Sequence, residues 1–305
     1  MCRVLITGAG GFVGRHCLGP LVKRGFEVHA LSSSGKYIPQ SGVVWHRDDL
    51  LESNCVRPLL AKIKPSHLMH LAWVTDPQTY RQSTANLAWV EVSMQLVREF
   101  YECGGRRAVL TGSCAEYDWN YGLCREYETP LRPATLYGTC KAALYSAFEQ
   151  HVLDHHLDGA WARLFFLYGP HAPMTKIPGV VIEAVEKGAV IKCSHGNQLR
   201  DFMYVLDAAD ALVELLASDL QGAVNVATGQ ALRVNEMIAA VTDYCGGHRL
   251  VQLGARRTGE HEPPLVVADS TRLNRELNWA PKFGYREALV ETIQWWRENE
   301  TQLVR

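Results

Sequence analysis

The sequence predicts an α/β fold, a doubly wound parallel sheet followed by a smaller C-terminal domain, and three observations predict it. Short apolar runs alternate with segments of helical periodicity through the first half of the chain. A glycine turn, Gly8-Ala9-Gly10-Gly11-Phe12-Val13-Gly14, stands between the first such run and the first helical segment. Beyond Gly169-Pro170 the alternation loosens into short helices separated by Pro-rich and Gly-rich turns.

Taken in order, Val4-Leu5-Ile6, closing at Thr7-Gly8, reads as the first strand, and Phe12 to Lys23 as a helix that Gly25 stops. Glu27 to Leu31 and Val43 to His46 read as the second and third strands, Leu59 to Lys64 as part of a helix, and His67 to Ala72 as the fourth strand. Leu87 to Tyr101 is an amphipathic helix, Arg107 to Thr111 a strand, Thr135 to His155 a long helix and Gly159 to Tyr168 a further strand. A strand followed by a helix, repeated, makes neighbouring strands parallel, because each helix carries the chain back across the sheet. The first domain is placed at residues 1–168 and a mainly substrate-binding domain at 169–305, laid over the C-terminal edge of the sheet, with part of 200–230 returning to that sheet.

At 305 residues the chain can bury a sizeable core without metals or disulfides. Lys and Arg total 31 against 32 Asp and Glu, so no global field draws it to nucleic acid or to a membrane, and any phosphate binding has to be local. The nine cysteines include no C-x-x-C pair and their number is odd, which points to reduced thiols and a soluble, cytoplasmic protein. No stretch approaches the roughly 20 apolar residues of a membrane span. His151, His155 and His156 include an i,i+4 pair but lack a carboxylate cluster, so no metal site is assigned to them.

The glycine turn carries the first chemical signal. Gly8, Gly11 and Gly14 give a tight exit from the strand, room for a pyrophosphate to touch backbone, and close packing of helix on sheet, while N–H groups around Phe12 and Val13 at the helix start face the phosphates. That arrangement implies a dinucleotide. At the end of the second strand, Leu31-Ser32-Ser33-Ser34-Gly35-Lys36 has no carboxylate to accept from ribose hydroxyls. Hydroxyls at Ser32 and Ser33 with a lysine close by suit a 2′-phosphate better, so NADP is the first expectation and NAD the second.

Tyr137 and Lys141 lie four residues apart on a predicted helix and project from one face. A buried ammonium beside a phenol favours the phenolate and is expected to lower the tyrosine pKa, as a proton donor to a developing alkoxide requires. Ser113, at the end of the preceding strand, is placed to hold the same oxygen. These three are the catalytic candidates.

With those residues in view, the sequence resembles the extended short-chain dehydrogenase/reductases, the NAD-dependent epimerase/dehydratase family, over nearly its whole length. The resemblance rests on Thr7-Gly8-x-x-Gly11-x-x-Gly14, Asp49-Leu50, His70-Leu71-Ala72, Ser113 with Tyr117, Tyr137 with Lys141, Arg163 through Tyr168-Gly169-Pro170, and Arg200-Asp201-Phe202. It implies a Rossmann-like domain holding the dinucleotide, with Asp49 and Leu50 near the adenine and Leu71, Ala72 and Trp73 alongside the cofactor. It implies that Lys141 holds the nicotinamide ribose and that Tyr137 is the acid/base. By the same resemblance Arg200 reaches a substrate diphosphate, the alternative being an ion pair with Asp201, and Phe166 takes a substrate-facing place where many members carry Asn. It further implies a homodimer built on the helices Leu87 to Tyr101 and Thr135 to His155.

Departures from the family narrow the expected reaction. Related 4,6-dehydratases carry an Asp-Glu pair directly after the serine; here the positions are Cys114 and Ala115, and Glu116 falls one place late. The Cys and His of C3/C5-epimerising reductases would fall at Ala115 and near Thr175, with Cys114 and His171 as near misses. The expectation is therefore reduction of the C4 ketone of a nucleotide-diphosphate-linked 4-keto-6-deoxyhexose. The alternatives are an NAD-dependent nucleotide-sugar 4-epimerase and, as a minor reading, a non-catalytic dinucleotide sensor.

Overall fold

The computed structural model describes residues 2–303 apart from Lys36, Ser53, Thr75, Glu260 and His261. In chain order its elements are β1 (Arg3–Thr7), α1 (Gly14–Lys23), β2 (Glu27–Leu31), β3 (Val43–His46), α2 (Val56–Ile63), β4 (His67–His70), α3 (Ala85–Glu102) and β5 (Arg107–Ser113). There follow β6 (Leu123–Cys124), α4 (Leu136–Asp154), β7 (Asp158–Leu164), β8 (Phe166–Tyr168), α5 (Gly179–Glu186), β9 (Ile191–Lys192), β10 (Leu199–Arg200) and β11 (Phe202–Tyr204). The chain ends with α6 (Val205–Leu216), β12 (Gly222–Val226), β13 (Leu232–Arg233), α7 (Val234–Cys245), β14 (Val251–Gln252), β15 (Leu265–Ala268) and α8 (Tyr285–Leu303).

Seven strands form one parallel sheet in the order β12-β7-β5-β4-β1-β2-β3. Both faces are covered, which is why the strands read as continuous apolar runs instead of alternating ones. In β1, Val4 and Ile6 enter the core shared with Leu18 and Leu21 of α1 and Leu212 and Leu216 of α6, while Leu5 enters the core shared with Leu60 of α2, Leu96 of α3 and Leu144 of α4. Each such fully buried Leu or Ile contributes about 1.5–3 kcal/mol. Strand order reverses between β1 and β4, so a crevice opens at their C-terminal ends.

The structure corrects some expected boundaries. Helix α1 begins at Gly14, after the Phe12 and Val13 turn. Strand β4 stops at His70, because the next two backbone N–H groups, of Leu71 and Ala72, turn to the Thr7 hydroxyl. The strand expected over Gly159 to Tyr168 is two strands. β7 stays in the main sheet, whereas β8 leaves it at Phe165 and pairs with β11, Phe166 opposite Phe202 and Tyr168 opposite Tyr204. Beyond this divergence a third core gathers Tyr168, Val181, Ile182, Met237, Val241, Leu289, Ile293 and Trp296. Within the 200–230 stretch, α6 packs on the α1 face of the sheet and β12 pairs with β7 at its edge.

All nine cysteines are unpaired. Among the described residues no helix is long and apolar enough to cross a membrane, and no group of three or more His, Cys, Asp or Glu side chains is placed to hold a metal.

Candidate active site

At the crevice the glycine turn presses on the opposite strand end. Gly8 has φ +67°, and a Cβ there would lie 2.7 Å from Ala72 N. Gly11 N donates to Gly8 O at 3.0 Å, and a Cβ on Gly14 would meet Ala9 Cα at 2.9 Å. The three glycines therefore form a tight cradle whose N–H groups and helix start suit a pyrophosphate. Thr7 ties the cradle together. Its hydroxyl accepts from Leu71 N and Ala72 N, both at 3.2 Å, and donates to His70 Nδ1 at 2.7 Å. His70 passes on a hydrogen bond to Ser93 at 2.8 Å and, pushed down to about 3 by burial, is neutral. Trp73 is fixed in turn by Asn86, its indole N–H donating at 2.7 Å.

Leu71, Ala72 and Trp73 thus lie beside Gly8. The adenosine-side candidates are more scattered. Leu50 is buried, while the Asp49 carboxylate accepts from Leu51 N at 3.0 Å and so organises its own turn. Ser32 is buried with its hydroxyl 3.4 Å from that of Ser34, and Ser33 is exposed. Lys36 lies outside the described residues. A cation that sequence reasoning passed over, Arg47, follows β3 and lies against the turn: a Cβ on Gly35 would sit 3.4 Å from its Cδ and Nε.

The catalytic candidates meet at the C-terminal end of β5. Thr135 caps α4 by accepting from Gly138 N at 3.1 Å, and the helix then sets Tyr137 and Lys141 against the strand. Tyr137 is hydrogen-bonded to Ser113. Ser113 caps a single 3₁₀ turn, its hydroxyl accepting from Ala115 N at 3.2 Å. Lys141 is 4 % exposed; its Nζ donates to Thr111 O at 2.7 Å and rests 3.8 Å from the centroid of the Trp73 ring.

This geometry corrects one expectation. Lys141 is turned to the Thr111 carbonyl and is itself lowered to about 7 by burial, which the Glu116 charge opposes. Tyr137 is held well above its ordinary value, first by burial, with the Ser113 hydrogen bond acting in the opposite direction. The phenol is therefore protonated at neutral pH, the donor form.

Glu116 points into the core. Its side chain and that of Arg163 have no solvent exposure and form an ion pair at 2.7 Å; Glu116 also accepts from Ser113 N at 2.7 Å and from Trp161 Nε1 at 3.1 Å. Cys114 is buried and its thiol pushed up by desolvation, and Ala115 has no ionisable group. None of the three offers an acid/base pair to the crevice.

Phe166 and Arg200 come together, the guanidinium carbon 5.6 Å from the Phe166 centroid. The alternative partner, Asp201, is excluded. It accepts from Thr228 N at 2.9 Å, Thr228 Oγ1 at 2.6 Å and Gly229 N at 2.8 Å, while Arg200 is 5 % exposed and pairs with Glu262. Sequence reasoning also missed Tyr80. Its ring meets that of Tyr137 edge-on, centroids 5.0 Å apart, and Arg81 O accepts from Tyr137 N at 3.1 Å.

A model of the NAD dependent epimerase/dehydratase family matches residues 4–227. The chain belongs to that family. Family members similar to it include a UDP-glucose 4-epimerase of Erwinia amylovora, 24% identical across 97% of this chain and 98% of that one. A dTDP-glucose 4,6-dehydratase of Xanthomonas campestris is 25% identical across 99% and 95% of the two chains. Among solved structures, the UDP-glucose 4-epimerase of Thermus thermophilus in complex with NAD is 26% identical, with a TM-score of 0.80 over 97% of this chain and 99% of that one. The family is described by its NAD dependence, and the Thermus structure holds NAD, so the preference for NADP drawn from the serine loop finds no support among these relatives.

Proposed function

We propose that this family member is an NAD-dependent nucleotide-sugar 4-epimerase. One observation carries the reading: Ser113 and Tyr137 are paired at the end of β5, with Lys141 one helical turn on and its ammonium on the ring of Trp73, the residue after the Ala72 that abuts Gly8, and among the described residues Cys114, Ala115 and Glu116 add no second acid/base pair. Elimination of water needs an additional acid and base, and Cys114, Ala115 and Glu116 supply neither. Inversion at C4 needs one oxygen to lose and regain a proton, which a single phenol can manage.

Gly8, Gly11 and Gly14 would hold the pyrophosphate of the dinucleotide, and Trp73 and Lys141 would border its other end. When bound there, the dinucleotide supplies the acceptor and donor of hydride. The chain supplies the rest. Ser113 positions the sugar oxygen, and Tyr137, protonated in the buried cleft, gives its proton to that oxygen in the reducing direction. In the oxidising direction the phenol has to lose a proton first, and a cationic Lys141 is the group whose charge favours this. Arg200, once released from Glu262, offers a planar fork to a diphosphate.

The 4-ketoreductase reading retains one supporting observation, Arg47 beside Gly35, where a guanidinium suits a 2′-phosphate and hence a dissociable NADP. Incubation with UDP-glucose and catalytic NAD separates the two. Formation of UDP-galactose without net change in nicotinamide absorbance supports the epimerase; stoichiometric NADPH consumption with a 4-keto-6-deoxy nucleotide sugar, and no interconversion, overturns it.

A further inference from the structure

The Lys141 ammonium lies 3.8 Å from the centroid of the Trp73 ring, closer than Arg163 stands to the rings of Tyr145 and Tyr117, at 4.3 and 4.7 Å. With Lys141 only 4 % exposed, the ring face takes the place of water on one side of the cation. The Thr111 carbonyl, accepting at 2.7 Å, takes another. The ring is fixed where it is. Its indole N–H donates to Asn86 Oδ1 at 2.7 Å, Trp89 stacks on it with centroids 6.0 Å apart, and the residue is buried. Asn86, itself fully buried, also donates through Nδ2 to Tyr80 O at 2.7 Å and to Ser83 O at 2.8 Å. Tyr80 is the residue whose ring meets Tyr137, so one buried amide ties the ring under Lys141 to the loop against the phenol.

The surroundings decide what the contact does. Among the described residues, the titratable groups around the ammonium are Glu116 on the turn after β5, His70 on β4 and Tyr137 on its own helix, while α3 presents Asn86, Trp89 and Ser93, none of them charged. His70 is neutral and Tyr137 is protonated. The Glu116 carboxylate is committed to Arg163 at 2.7 Å, so its charge is largely compensated there. What remains in contact with Lys141 is the Thr111 carbonyl and the Trp73 face. The quadrupole of the ring attracts an ammonium and does little for a neutral amine, so the contact favours the charged form against burial, which favours the other.

We propose that Trp73 is a positioning residue of this site: its ring face keeps Lys141 an ammonium, held against the Thr111 carbonyl, so that the charge is present when the Tyr137 phenol has to release its proton. The inference rests on the reading above for the use of that charge, and adds the group that maintains it. Packing alone would require the shape of the indole; this role requires its electron density.

The test changes the electron density and keeps the shape. Tetrafluorotryptophan is placed at position 73 alone, and Lys141 is titrated by NMR of protein with isotope-labelled lysine side chains, its signal identified by its loss in Lys141→Met. Expected is a fall of the Lys141 midpoint by about one unit, and a smaller fall in the same direction with a singly fluorinated indole. The same replacement at Trp89, whose ring contacts are with Trp73 and His70, should leave the midpoint in place. With UDP-glucose and catalytic NAD, turnover of the tetrafluorinated protein should fall about fivefold at pH 7 and by less than about 1.5-fold at pH 5.5, where the cation is nearly complete in both proteins. A midpoint within about 0.3 units of wild type, a midpoint that rises, or a pH profile of turnover that does not follow the midpoint overturns the inference and leaves the nucleotide-sugar reading standing. A midpoint that falls as expected in a protein whose wild type turns over no nucleotide sugar overturns that reading instead, and the hold of Trp73 on the Lys141 charge stands.

Discussion

Glu116 and Arg163 form an ion pair from which water is fully excluded, and the same carboxylate holds the backbone N–H of Ser113 at 2.7 Å. The pair is thus both part of the core and the support of the serine. The guanidinium lies over two rings, 4.7 Å from the Tyr117 centroid and 4.3 Å from that of Tyr145, and Tyr117 OH donates to Asn225 at 2.7 Å. Removing one partner leaves the other charged and buried, so Arg163→Met is expected to cost about 3–5 kcal/mol of folding stability. Urea unfolding measures it. Adding Glu116→Gln to that variant should recover part of the loss, because the stranded carboxylate is then gone; a double variant no more stable than the single one would contradict this account.

Gly8→Ala tests the glycine cradle. The new methyl group would come within 2.7 Å of Ala72 N and 2.9 Å of Leu71 C, at a φ of +67° that an L side chain rarely adopts. Neither clash involves a flexible side chain, so β1 and β4 have to part at the crevice. Dinucleotide affinity is expected to fall at least about tenfold, equivalent to 1.4 kcal/mol, by fluorescence titration. Gly19→Ala, where an added Cβ meets nothing within 4 Å, is the control and should leave affinity unchanged.

What could be read in advance follows from how each feature is encoded. Burial on both faces writes the sheet as apolar runs, and the glycine turn, Ser113, Tyr137 and Lys141 are local patterns, so their elements were legible. The pairing of β8 with β11 was not, since nothing between Leu164 and Phe166 breaks the strand pattern and its partner is distant in the chain. The Arg200 partner was within reach: successive residues of an extended segment face opposite sides, so Arg200 and Asp201 diverge, one toward Phe166 and the other toward Thr228. Tyr80 comes from an irregular loop, and its packing against Tyr137 leaves no periodic trace.

Tyr137→Phe removes only the hydroxyl that bonds Ser113 and keeps the ring packed on Tyr80. Turnover of the nucleotide sugar is expected to fall by about 10²–10⁴-fold, the usual contribution of a positioned acid/base, with dinucleotide binding intact. Steady-state rates and a binding titration on the same preparation read the two effects separately. Retention of full activity would remove the phenol from the mechanism.

Lys141 makes the pH dependence of stability specific. Burial lowers it from 10.5 to about 7, so between those values the unfolded chain carries a proton that the folded chain has released. Raising the pH through this window takes the proton from the unfolded state and favours folding. At or below pH 7 both states are protonated, and the burial of the ammonium costs on the order of 5 kcal/mol, a cost relieved progressively toward pH 10.5. Lys141→Met escapes it but leaves the Thr111 carbonyl without its donor, a loss of about 1–3 kcal/mol that does not vary with pH. The stability of wild type relative to Lys141→Met should therefore rise between pH 6.5 and pH 9.5, with groups common to both proteins cancelling in the difference. Urea midpoints at those two values decide it: a difference independent of pH would mean that Lys141 keeps its ordinary pKa in the folded protein.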